Sequence, residues 1–175
     1  MELPKSETHI ISTYELQKNI FRLLNLFMGF SAILEDTDGF IDDFKSSSLF
    51  KNYSSLFEEE FSKLILEIAI NTRVLDDLIK KSKQGIDLDK FSGIELMGIL
   101  EEEEFTSPRE AINKIIHSTY FGHDIRHDSK KPYYMPSLQL LGNKGKNSWT
   151  AEIYLLPFCK TLYDFAIQNE KRGEV

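Results

Sequence analysis

Arg109, Asn113 and His117 stand four residues apart, and at that interval a guanidinium, a carboxamide and an imidazole share one stripe of an α-helix. The three types suit a phosphate. Arginine forks around phosphate oxygens, an imidazole titrating near neutrality can carry a proton, and asparagine can orient either group. Without a metal, such a set could cleave RNA by letting a 2'-hydroxyl attack its own phosphate. The plainer reading of the same stripe is a solvated helix surface with one histidine on it.

The helix that must position these groups is written clearly. Ser107 can cap it, Pro108 suits its first position, and Glu110 completes a capping box, so the spacing predicts a helix from Ser107 to about Tyr120. In that phase Ala111, Ile112, Ile115 and Ile116 form an apolar face beside the polar stripe.

Other elements follow from the same rules. Ser12 and Glu15 open a first helix running to about residue 35, with Leu16, Ile20, Leu23, Leu24, Phe27, Met28 and Leu34 as its core stripe. Residues 40–53 read as a polar connection. Ser55 and Glu58 open a second helix over Leu56 to Lys83, ended by Gly85, with Phe57, Phe61, Leu64, Ile65, Ile68, Leu75, Leu78 and Ile79 inward. Within it Arg73 needs a carboxylate, and Asp76 and Asp77 are at hand on the same helix. The cluster Ile94 to Leu100 predicts a short packed helix, and Phe121 to Pro136 a polar loop. Leu138 to Leu141 and Trp149 to Leu155 alternate, which predicts a hairpin with Gly142 to Asn147 as its loop. Pro157 opens a last helix that ends before Gly173. The expected fold is mainly α: one domain over 1–175, a bundle of three or four long helices with a small antiparallel β-hairpin at about 137–156.

A chain of 175 residues, 41% hydrophobic, is long enough to bury one core. Its single cysteine, Cys159, rules out an internal disulfide framework and suits a reducing cytoplasm. The opening MELPKSETHI does not read as a secretory signal, and Phe21 to Leu34 falls short of the ~20 apolar residues of a membrane span. The net charge of -7 is uneven: residues 1–107 carry 11 basic and 21 acidic side chains, residues 108–146 carry 7 and 3, and residues 147–175 carry 3 and 4. The capped helix thus opens the basic stretch, whose Lys130, Lys131, Lys144 and Lys146 could form a weak electrostatic rim for a phosphate backbone.

Three tempting motifs do not hold. Asp36, Asp38, Asp42 and Asp43 lack the alternation and closing glutamate of a calcium loop. His117, His123 and His127 can be drawn around zinc, but no cysteine stands near and no HExxH pattern is present. The GNKGKN loop lacks phosphate-loop spacing and a following helix. No metal and no cofactor is expected.

An arginine, a polar residue and a histidine on a late helix of a bundle resemble the HEPN superfamily (higher eukaryotes and prokaryotes nucleotide-binding). Asn113 to His117, NKIIH, resembles the polar-to-histidine half of its motif, and the helix carrying IAINTRVLDDL resembles the upstream helix of such bundles. Arg109 lies further from His117 than the family pattern has it, and Ile112 stands where its arginine is usual. The resemblance implies a homodimeric RNA-cleaving or RNA-binding protein of defence or toxin systems, or an inactive relative. It makes His117 the general acid or base, Asn113 its positioning partner, and Arg109 or Arg73 the phosphate contact, with Lys114 as added positive charge. The alternative is a noncatalytic module that binds a protein partner. A third option is a small-molecule pocket lined by Phe27, Met28 and Tyr120.

Overall fold

Two long helices carry much of the core in the computed structural model, which describes residues 12–35, 48–123, 125–128 and 131–170, with backbone alone for 34–35, 48–52, 125–128 and 131–134. Helix α1 spans Thr13–Glu35, and its start is capped as expected, the Ser12 hydroxyl accepting from the Glu15 N–H at 3.3 Å. Its buried stripe is Leu16, Ile20, Leu23, Phe27 and Phe30. Met28, expected inward, is 60% exposed instead, because it falls seven residues after Phe21 on the outer flank.

Helix α2 spans Ser48–Ser82, so it begins a full two turns before the expected Ser55 cap, and Ser55 lies inside it. Phe57, Phe61, Leu64, Ile65 and Ile68 are buried, and Phe57 stacks on Phe30 of α1 at 4.2 Å between ring centres. Burying each such side chain contributes roughly 1.5–3 kcal/mol. Leu78, expected inward, is 38% exposed. A 3-10 turn, Leu88–Phe91, seats Leu88 and Phe91 in the same core.

The β component exceeds one hairpin. Strands β1 (Gly98–Leu100), β2 (Glu103–Phe105), β3 (Ser118–Gly122), β6 (Ser137–Lys144) and β7 (Asn147–Tyr154) form an antiparallel sheet in the order β2-β1-β7-β6-β3. Strands β4 (Ile125–Asp128) and β5 (Lys131–Tyr134) pair separately, inside the expected loop. The architecture is therefore mainly α with a five-stranded sheet, and a bundle with one hairpin is too simple a description. The expected hairpin is present as β6–β7, but Gly142 sits within β6 rather than in the turn. Trp149 lies directly opposite it and its ring fills the space a side chain at 142 would take, while Gly145, at φ +65°, serves the turn. The expected helix over Ile94 to Leu100 is instead partly strand.

Helix α3, Pro108–His117, begins as expected, with the Ser107 hydroxyl accepting from the Glu110 N–H at 3.2 Å. It stops at His117, short of Tyr120, because Ser118 turns to extended backbone and starts β3 at once. Its Ala111, Ile112 and Ile115 are fully buried, as the apolar face predicts. Helix α4, Leu155–Glu170, starts two residues before Pro157 and seats Phe158, Leu162 and Phe165 in the core. Helix α1 packs on α2 and α4, and α3 packs on α2 and the sheet. No helix among the described residues is long and apolar enough to cross a membrane. The aspartates at 36, 38, 42 and 43, Lys130 and Gly173 lie outside the described residues, as do the side chains of His127 and Lys131.

Candidate functional site

Where α3 crosses α2, the polar stripe meets a row of charges on the longer helix. Arg109 closes on two carboxylates of α2: one guanidinium nitrogen pairs with Asp76 Oδ2, and Nη2 donates to Asp77 Oδ1 at 2.6 Å. Asp76 is fully buried, and its other oxygen accepts from the Leu88 backbone N–H at 2.8 Å, so one side chain ties α2, α3 and the 3-10 turn together. Lys80 adds a second cation, 3.4 Å from Asp76 and 2.8 Å from Asp89. Burial, and then the charge of Arg73, pull the Arg109 pKa below its ordinary value.

Arg73 is likewise engaged. Its Nε donates to Asp77 at 3.1 Å, one turn along the same helix, and its Nη1 donates to the Asn113 carboxamide oxygen. The sequence offers Arg73 both aspartates; the structure gives it Asp77 and gives Asp76 to Arg109. Lys114 pairs with Glu110 at 3.4 Å and lies over the Trp149 ring at 4.5 Å.

His117, at the last position of α3, is exposed, and its side chain makes no hydrogen bond or ion pair among the described residues. The structure thus joins Arg109 to Arg73 through the shared Asp77 carboxylate and Arg73 directly to Asn113, and leaves the imidazole apart from that network. His123 is turned inward, edge-on to Phe61 at 4.5 Å and against Phe57 at 5.4 Å, and burial lowers its pKa to about 4. The three residues drawn around a small molecule do not meet: Phe27 is in the core, and Tyr120 is on the outer side of the sheet.

A second feature was not anticipated from the sequence. Between α1 and α4 runs a groove of about 960 Å³, lined by Tyr14, Phe21 and Leu24 on one side and Leu156, Pro157 and Tyr163 on the other. Tyr14, Phe21, Leu156 and Tyr163 are 62, 65, 50 and 39% exposed. At its edge Lys160 pairs with Glu95, a hydrogen bond that raises the lysine pKa. Cys159 reaches the groove wall from the core, and burial pushes its thiol up to about 12. The signal for this groove is present in the sequence as the seven-residue spacing of Tyr14 and Phe21, outside the buried stripe.

No protein-family model matches the chain, and no curated protein or solved structure matches it.

Proposed function

We propose that this chain is a noncatalytic protein-binding module whose α1–α4 groove receives an apolar segment of its partner. The observation that carries the reading is the exposure of Tyr14, Phe21, Leu156 and Tyr163 along one channel. Aromatic side chains are enriched at binding surfaces, and a contiguous exposed apolar channel is costly to keep in water without a use. Grooves between two helices commonly take an amphipathic helix that presents apolar anchors at i, i+3 or i+4 and i+7. The polar stripe supports the same reading from the other side, since Arg109, Arg73 and Lys114 all hold partners within the fold.

The test is a peptide-display selection against the purified chain. Peptides with that anchor spacing are expected, and they should lose binding when Phe21→Glu or Leu156→Glu is substituted. Recovery of no peptide that depends on Phe21 refutes the groove.

A second reading is a HEPN-like, homodimeric, metal-independent ribonuclease or RNA-binding protein. The hydrogen bond from Arg73 to Asn113 favours it, because it holds a guanidinium and a carboxamide one helical turn from the exposed His117. Labelled RNA incubated with the protein in chelator discriminates the two. Cleavage abolished by His117→Ala supports the nuclease; intact RNA leaves the binding module.

A further inference from the structure

The outer face of the five-stranded sheet is a surface separate from the α1–α4 groove. Strand register lays its side chains in cross-strand rows. One row runs Glu104, Ile99, Glu152, Gln139, and the next runs Thr150, Leu141, Tyr120. The opposite face holds Leu138, Leu140, Ala151 and Ile153, all buried in the core. A sheet packed on one side ordinarily turns polar residues outward. Here Tyr120 and Leu141 face out with 56 and 46% exposure, and they line a depression of about 330 Å³.

Among the described residues, the charged side chains that line that depression have one sign: they are Glu101, Glu102 and Glu152, with no lysine or arginine. The turn bearing the first two is fixed in place: the Glu101 N–H donates to the Thr150 carbonyl at 3.2 Å, and Glu101 Oε1 accepts from the Thr150 N–H at 2.8 Å. Both glutamates sit at positive φ, +50° and +73°, where a side-chain-bearing residue is uncommon. Tyr154, beside the row, holds its proton more tightly than usual through burial and then the charges of Glu152 and Glu104.

Spacing says what kind of cation fits. Glu104 and Glu152 stand on opposite sides of Ile99, with their backbones two strands and thus about 10 Å apart. Among the described residues no group of three His, Cys, Asp or Glu could hold a metal. The complement is a chain that carries several positive charges and something apolar between them.

We propose that this sheet face docks a cationic peptide segment of a protein partner. Its lysine or arginine side chains face Glu101, Glu102, Glu104 and Glu152, and an apolar side chain rests on Leu141 and Tyr120. Charge complementarity sets the partner and the apolar floor sets its register.

The experiment is a fluorescence-anisotropy titration of the full chain with a labelled decapeptide of lysines and arginines around one central leucine, beside a version with glutamate in place of the basic residues. The basic peptide alone should bind. Glu104→Lys with Glu152→Lys should weaken binding about tenfold or more, and the milder Glu104→Gln with Glu152→Gln about threefold, each after a melting curve shows a folded protein. Leu141→Ser should also weaken it. Glu58→Lys with Glu59→Lys makes the same change in net charge on an exposed part of α2 and should leave binding within about twofold. Absence of binding, or equal loss in both charge reversals, overturns the proposal. Loss of peptide binding on Phe21→Glu would also overturn it, by placing the peptide in the other groove, whereas failure of that groove in its own test leaves this one intact.

Discussion

The guanidinium of Arg109 on α3 closes on the carboxylate of Asp76 on α2, and that carboxylate has no exposure to solvent. A residue with the type and position of a phosphate contact is thereby a structural clamp. Removing one partner of a buried ion pair costs ~3–5 kcal/mol, because the remaining charge loses its compensation. Arg109→Ala should destabilise the protein by about 3 kcal/mol, at the lower end of that range since Lys80 stays beside Asp76. Arg109→Lys should recover only part, because an ammonium cannot fork between Asp76 and Asp77. Urea unfolding monitored by circular dichroism measures both, and an unchanged midpoint for Arg109→Ala contradicts the clamp.

His123 gives the fold a dependence on pH. Its folded pKa, about 4, lies below its ordinary 6.5, so between those values the unfolded chain binds the proton more readily than the folded one. The stabilisation from the neutral imidazole is complete above pH 6.5 and is lost as pH falls toward 4, to an extent on the order of 3 kcal/mol. Melting temperature should therefore drop from pH 7 to pH 5 more steeply in the native protein than in His123→Gln. Parallel slopes for the two proteins refute this.

Cys159 should be chemically silent in the folded state. The residue is 1% exposed and its thiol pKa is held up to about 12, so the reactive thiolate is scarce near neutrality. A disulfide reagent such as Ellman's should label it at least about a hundredfold more slowly in buffer than in denaturant. Rapid labelling of the native protein would show that the wall of the α1–α4 groove opens.

Gly98 on β1 has no room for a side chain, since a methyl there would run into the Glu152 carbonyl on β7. Gly98→Ala should cost about 1–3 kcal/mol through forced displacement of backbone. Hydrogen exchange should show the loss concentrated in β1 and β2. An alanine variant as stable as the native protein would mean the strands can separate without cost.

What could be read from the chain was what local chemistry decides. Ser107, Pro108 and Glu110 announce a helix start by their own hydrogen bonds and ring geometry, and α3 begins there. The alternation of Trp149, Ala151 and Ile153 states a buried face, and all three are buried. Strands β1 and β2 were illegible because each has three residues, too few for a period to show, and Ile94 to Leu100 has apolar residues at helical intervals as well. The helical phase of Arg109, Asn113 and His117 was legible; their fate was not. Whether an arginine is free for a ligand depends on which carboxylate a neighbouring helix brings up, and Asp76 reaches Arg109 only through the crossing of α2 and α3. Nothing within either segment specifies that crossing.

Trp149 is the sole indole of the chain, and it sits opposite Gly142 with the Lys114 ammonium above it. Its emission therefore originates at a single seam, where Lys114 of α3 meets the central strands. Slippage of that helix over the sheet changes the cation's distance from the ring and with it the colour and yield of the light. The molecule carries its own optical gauge of how the helix bearing the polar stripe rides on its support, with no label attached.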